Sequence, residues 1–191
     1  MANVLLILSW VLFYFLHTAL ASGKLKRFLE AEWPRFYKNY RLFYTLLSIL
    51  LFSGIFFQAL FLSVHHLFDS RGFPRYLGYL LATLGIVVFS RSMKEISVNN
   101  FLFKEEKKST ELIQKGIYSK SRHPLYLGIT LVFLGYFLVA GTLGSLIHLA
   151  CLALYLPFGI YFEEKNLVAL FGESYRKYKQ EIPAFFPKIF N

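Results

Sequence analysis

A single cysteine in 191 residues leaves no intrachain disulfide, so the chain has no covalent staple and gives no sign of its redox compartment. Charge is also scarce: 17% of the residues are charged, where a soluble domain carries about 25%. No Gly/Ser-rich linker, low-complexity tract or internal repeat interrupts the chain, which excludes a string of modules. Of the five histidines His65 and His66 are adjacent and the other three are scattered, and no Cys or His pair has ligand spacing, so no metal site is expected. Apolar residues are what the chain does have. They make up 56% of it, 19% of all residues are aromatic, and 22 Phe and 13 Tyr supply most of that share, which excludes disorder. The excess of 21 basic over 11 acidic residues gives a net charge of +10. On a soluble protein that excess points to a polyanion; on an apolar one it asks which side of a membrane the charge occupies.

A membrane-crossing helix takes about 20 mostly apolar residues, because the hydrocarbon layer is about 30 Å thick and each residue rises about 1.5 Å. Residues 4–21 and 42–64 contain no formal charge, and 124–140 and 143–162 are parted only by Gly141-Thr142. A fifth stretch, 76–90, is shorter, but Arg75 and Arg91 flank it with stems long enough to reach the headgroups. The expected fold is an all-α integral membrane protein, a single domain of five transmembrane helices ending in a helical hairpin. No basic residue precedes the first span, so it is expected to be retained and not cleaved as a signal peptide.

Counting Lys and Arg tests the five-span reading independently. Residues 22–41 hold six, 91–122 hold eight and the tail after Phe162 holds five, against two between spans two and three. With five spans the three rich segments share one face, which places the N-terminus outside and the C-terminus in the cytoplasm. Orientation then accounts for the basic excess, and ten acidic residues are mixed into the same face, so nucleic acid is disfavoured as a partner. The bilayer is the expected partner, and no obligatory protein partner is evident.

Polar chemistry has room only in residues 91–122 and 163–191. The densest signal is Arg122-His123-Pro124-Leu125-Tyr126-Leu127-Gly128. Proline keeps His123 out of helical geometry and suits the first helical position, so a helix should start here with free backbone donors. Those donors, the helix dipole and Arg122 together predict an anion site, with Tyr126 one turn further on the same face. The second signal is Glu163-Glu164 at the end of the last span, where acidic residues do nothing for orientation. With Arg122 they suit a zwitterion, its carboxylate by the arginine and its ammonium by a glutamate. Past Phe171 the sequence predicts a break at Gly172, a short helix over 173–181 and a stop at Pro183. Tyr175, Tyr178, Phe185, Phe186 and Phe190 suit a tail lying against the interface.

In order, Lys115-Gly116-Ile117-Tyr118, Arg122-His123-Pro124-Leu125-Tyr126, a helical hairpin, Glu163-Glu164 and Leu170-Phe171-Gly172-Glu173-Ser174-Tyr175, with Tyr178 and Pro183, resemble the integral-membrane methyltransferases. That group includes the isoprenylcysteine carboxyl methyltransferases and the phospholipid methyltransferases, and the resemblance covers about residues 101–187. It implies S-adenosylmethionine bound at the cytoplasmic segments, leaving as S-adenosylhomocysteine, with its methyl aimed into a cavity open to lipid. The cofactor contacts it implies fall on Thr110, Glu111, Leu112, Ile113, Tyr118, Arg122, His123, Pro124, Tyr126 and Glu163. In the prenylcysteine enzymes an arginine for the substrate carboxylate lies one turn before the first of these glutamates; here that position is Gly159. No other basic residue lies in the last span, and a buried carboxylate needs a cation partner. His17-Thr18-Ala19-Leu20-Ala21-Ser22 in the first span, and Arg122 to Gly128 read with Glu163 to Pro187, look closer to the methanethiol S-methyltransferases, whose acceptors are small thiols.

A neutral thiol must lose a proton before it attacks, and His17, His148 and Glu164 are the candidate bases. Carboxyl methylation of a prenylcysteine and N-methylation of a phospholipid are the alternatives within the group. A non-catalytic lipid- or small-molecule-binding membrane protein is an alternative of another class. A sterol-reductase relative would need a longer chain. Cys151 reads as a packing residue, and Pro157 predicts a kink in the last span.

Overall fold

In the computed structural model, residues 1–61, 64–96 and 112–185 are described, and all of their extended regular structure is helical. The chain divides into two compact units, Met1–His65 and His66–Asn191.

The first unit holds α1 (Ala2–Ala21), α2 (Gly23–Glu32) and α3 (Pro34–Ala59). Trp10 of α1 is almost fully enclosed, with its ring edge-on to Phe52 and Phe56 of α3 at centroid distances of 5.9 and 6.5 Å. The segment between the first two spans is largely helical. Ser22 caps α2 by accepting from the Leu25 N–H at 3.4 Å, and Leu25 and Leu29 give that helix an inward edge. Pro34 then starts α3 two turns before the apolar stretch, so Arg35, Lys38 and Arg41 ride on a helix that continues into the span. Toward its end α3 tightens, with the Leu60 N–H bonding the Phe57 carbonyl at 3.1 Å, and the helix stops at Ala59, short of the residue 64 expected from hydropathy.

The second unit holds α4 (Phe73–Ile96), a 3-10 turn η1 (Gly116–Ser119), α5 (Pro124–Ala140), α6 (Leu143–Phe171) and α7 (Glu173–Glu181). The expected short span at 76–90 is a full-length helix of 24 residues, because its charged flanks Arg75, Arg91, Lys94 and Glu95 join the helix. The shorter apolar helix is α5, with 17 residues. Four described helices, α1, α3, α4 and α6, are long and apolar enough to cross a membrane.

α4 and α5 run antiparallel in backbone contact. Gly78 and Gly85 lie two turns apart on α4, and Gly128 and Gly135 lie two turns apart on α5. A Cβ at Gly85 would stand 2.6 Å from the Gly128 carbonyl oxygen, and one at Gly135 would stand 2.6 Å from that of Gly78. In lipid, where side-chain burial gives helices little reason to associate, such small-residue seams let backbones pack by dispersion. The α5–α6 hairpin turns at Gly141, and Thr142 and Ser145 cap α6 reciprocally, each side chain accepting from the other's backbone N–H at 3.2 Å. α6 continues helical through Pro157 to Phe171. Its first twenty residues, 143–162, carry no charge and are long enough to match the hydrocarbon thickness, and charge begins at Glu163.

Candidate functional site

The site forms where the charged end of α6 meets the start of α5. Pro124 takes the first helical position of α5, leaving His123 non-helical at φ −123°. The preceding residues pair with the segment after α7. The Arg122 N–H donates to the Pro183 carbonyl and the His123 N–H to that of Ala184, both at 2.9 Å, and the Ser121 hydroxyl adds a bond to the Ala184 carbonyl at 2.9 Å. The backbone N–H groups of Arg122 and His123 are thus used by the chain itself.

Arg122 meets an internal carboxylate where the sequence reading has it meeting a ligand's. Its Nε and Nη2 donate to Glu164 Oε1 at 3.1 and 2.8 Å, and both side chains are about nine-tenths buried. Its Nη1 donates to the Lys179 carbonyl at 2.9 Å and to the carbonyl of Ile182. Lys179 Nζ reaches Glu164 Oε2 at 2.5 Å. One guanidinium therefore ties α5, α6 and α7 together. Burial alone would raise the Glu164 pKa, but hydrogen bonds from Lys179, Arg122 and His123 and the arginine charge pull it down to about 2. The Glu164 carboxylate, named as a candidate base from the sequence, is engaged here by Arg122, Lys179 and His123.

His123 is 3% exposed. Its Nε2 lies 3.2 Å from Glu164 Oε1, so Nε2–H donates there, and its Nδ1 lies 3.6 Å from Glu163 Oε2. The Tyr126 ring stands over it at a centroid distance of 5.7 Å, and Phe185 follows at 6.5 Å. Glu163 itself is exposed, and no arginine or lysine among the described residues is paired with it.

Tyr118 comes from η1, and its carbonyl accepts from the Tyr178 hydroxyl at 2.6 Å. Burial first, then the nearby charges of Glu163 and Glu95, raise the pKa of its phenol, which stays a neutral hydrogen-bond donor. Glu95, in the last turn of α4, is a site residue that sequence reasoning missed. Its carboxylate covers Gly116, where φ is +60° and a Cβ would stand 2.2 Å from Glu95 Oε1, so the turn that presents Tyr118 requires glycine. A lone glutamate after an arginine-flanked span carries no signal in the sequence; only the return of η1 against α4 reveals it.

Tyr175 and Tyr178, expected at the membrane interface, are buried at 1% and 4% exposure because α7 folds back under η1 and the start of α5. Phe186 and Phe190 lie outside the described residues, as do Thr110 and Glu111. Leu112 and Ile113 are half-buried in irregular chain before η1. His148 is fully enclosed in α6 beside the Tyr136 ring, fifteen residues and so about 23 Å along the helix from Glu163. It is not part of this cluster. His17 belongs to the first unit, where the Tyr44 hydroxyl approaches its ring nitrogens at 2.9 Å and Ser48 Oγ lies 3.2 Å from Nδ1. Gly159 is covered by the Tyr155 ring, whose atoms stand 3.0–3.4 Å from where a Cβ would be. Cys151 is half-buried in α6. Among the described residues no group of three or more His, Cys, Asp or Glu is arranged to hold a metal ion.

Residues 73–174, more than half of the chain and the stretch that contains this cluster, match the profile of the phospholipid methyltransferase family. A methanethiol S-methyltransferase of Crocosphaera subtropica is 37% identical over 91 residues, which are 47% of this chain and 35% of that protein. The protein-S-isoprenylcysteine O-methyltransferase of Schizosaccharomyces pombe is 33% identical over 117 residues, 59% of this chain and 48% of its own length. A nickel-cobalt-cadmium resistance protein, NccN, of Alcaligenes xylosoxydans is 39% identical over 90 residues, 46% of this chain and 41% of that one. The matches thus span less than half the length of each of these relatives.

Proposed function

The chain belongs to the phospholipid methyltransferase family, and we propose that it transfers a methyl group from S-adenosylmethionine to a small or lipophilic acceptor dissolved in the membrane, a thiol being favoured. The observation that carries the reading is the grouping of Glu163, Glu95 and Tyr118 beside the buried His123. When bound, S-adenosylmethionine supplies an electrophilic methyl on a sulfonium centre and carries an ammonium and ribose hydroxyls besides. Two carboxylates flanking a neutral phenol suit such a cation, and the donor set present fits it.

Glu163 and Glu95 offer countercharge and acceptors for the ammonium and hydroxyls. The Tyr118 phenol offers a donor, Tyr126 and Pro124 supply an apolar wall, and Leu112 and Ile113 add backbone groups from the approach to η1. Thr110 and Glu111 complete the proposed contacts in sequence. His123 is oriented by Glu164, which fixes its Nε2–H and leaves Nδ1 toward Glu163. Arg122 acts through Glu164 and the segment after α7, holding His123 in register as a positioning residue. In-line displacement then asks only that the acceptor be held close and correctly aligned, with no covalent enzyme intermediate.

The acceptor preference rests on α6. No cation lies in residues 143–162, and the position where a carboxylate-binding arginine would stand is a glycine covered by Tyr155. An apolar pocket that keeps a thiol costs less than one that buries an unpaired carboxylate. On the same reading the chain crosses the bilayer five times, with α5 as the shortest span, and the basic face and the site are cytoplasmic.

The test is calorimetric titration of the purified protein with S-adenosylmethionine and, separately, NADPH, on the native chain, Glu163→Gln, Glu95→Gln and His123→Ala. Binding of the methyl donor that weakens in all three variants is expected; binding indifferent to them refutes the site. Transfer of labelled methyl is then measured on small thiols, prenylcysteines and phosphatidylethanolamine, and turnover of prenylcysteine alone would refute the thiol preference.

A further inference from the structure

The end of the first unit where α1 gives way to α3 presents a surface that methyl transfer does not use. Only Ser22 separates α1 from α2, and only Trp33 separates α2 from α3. The Tyr40 hydroxyl donates to the Leu20 carbonyl at 2.8 Å, fastening the charged start of α3 to the end of α1. The charge-free part of α3 begins at Leu42, so residues 34–41 extend about 12 Å past the hydrocarbon. α2 is therefore held at the level where two spans leave the membrane.

Leu25 and Leu29 face the unit's interior. Lys24, Arg27, Phe28 and Ala31 follow the i, i+3, i+4, i+7 spacing of a single helix face, and all four are exposed. Glu30 and Glu32 fall on other flanks by the same spacing. Trp33 follows, 62% exposed, beside Phe28 at 56%, and Arg35, Phe36 and Lys38 continue the exposed surface onto α3. Water alone gives no reason for two large aromatics and Phe36 to stand out among cations, and hydrocarbon alone would leave four cations unsolvated. A layer of anionic headgroups over acyl chains answers both, since aromatics settle at that depth and lysine and arginine stems reach up to the phosphates.

We propose that the outward face of α2, with Trp33 and the first turn of α3, is a docking surface for anionic phospholipid headgroups, to which Lys24, Arg27, Arg35 and Lys38 give the charge preference and Phe28, Trp33 and Phe36 the depth. This is independent of the methyltransferase reading and stands or falls apart from it.

The chain has two tryptophans, so Trp10→Phe leaves Trp33 as the only one. That variant is reconstituted in vesicles of phosphatidylcholine and phosphatidylglycerol, with one or the other lipid brominated near the headgroup end of its acyl chains. Brominated phosphatidylglycerol is expected to quench Trp33 with an apparent affinity about fivefold or more above that of brominated phosphatidylcholine, the value of one cation close to an anionic surface. Replacing Lys24, Arg27, Arg35 and Lys38 by glutamine should bring the ratio close to one, with helix content unchanged by circular dichroism. If Trp10→Phe does not fold, the difference in quenching between the native chain and Trp33→Phe supplies the same signal. Equal quenching by the two lipids, a preference that survives the glutamine variant, or quenching by aqueous acrylamide alone would each overturn the proposal.

Discussion

Replacing Gly128 by alanine tests the link between the packing of α4 on α5 and the site at the start of α5. An added Cβ would stand 2.8 Å from the Phe89 nitrogen, 2.9 Å from the Gly85 carbonyl oxygen and 3.1 Å from the Phe89 Cα. All three are backbone atoms, so no side chain can swing aside. Ordinary contact begins near 3.4 Å, and the helices must therefore part by about 0.6 Å along the seam. Overpacking of this kind costs about 3 kcal/mol at the upper end of its range, and alanine returns about 1 kcal/mol of helix propensity. The net loss of about 2 kcal/mol corresponds to a fall of about 4–8 °C in the melting temperature for a chain of this size. His123 precedes Gly128 by five residues, and Glu95 ends the opposing helix, so the same displacement separates site groups on the two helices. A 1 Å misplacement costs about 100-fold in rate, so about tenfold is expected here in methyl transfer. Gly54 on α3 is the control. A Cβ there meets nothing within 4 Å, and Gly54→Ala should raise the melting temperature by about 2–4 °C through propensity alone. Thermal scans of both variants in one detergent, with transfer assays beside them, decide the matter. A Gly128→Ala protein that melts no lower than the native chain would refute the backbone seam.

Three further outcomes follow from the geometry. Glu164→Gln removes the countercharge of Arg122 and should cost about 3 kcal/mol at neutral pH. Because the folded pKa lies near 2, below the ordinary 4.5, the carboxylate's contribution is full above about pH 4.5 and fades as pH falls toward about 2, so the gap in melting temperature between native and Glu164→Gln should narrow across that window; a constant gap contradicts the ion-pair account. Arg122→Lys keeps the charge but cannot serve Glu164 and the Lys179 and Ile182 carbonyls at once, so faster amide exchange is expected at residues 179–184, and unchanged protection there counts against the clamp. Gly116→Ala collides with Glu95 in a left-handed turn, and S-adenosylmethionine affinity should fall about tenfold or more by calorimetry with little change in helix content, whereas native affinity would remove Glu95 and Tyr118 from the site.

The sequence by itself determined the helical, membrane-spanning class, the break at Gly172, the short helix over 173–181 and the start of α5 at Pro124. Each of these depends on chain-local physics: a run of apolar residues long enough for the hydrocarbon, the fixed φ of proline, the freedom of glycine. The order of its short motifs also pointed to the family that the profile match shows. What local physics cannot supply is which distant groups meet. Arg122 and Glu164 stand 42 positions apart, and whether the arginine faces a ligand or an internal carboxylate depends on where α6 ends relative to α5. Glu95 gains its place only because η1 returns to α4, and the tyrosines of α7 are buried only because that helix folds back beneath Tyr118. The tertiary structure decided these because charge pairing and burial act through space, and two helices whose backbones meet at glycines set the distances within which they act.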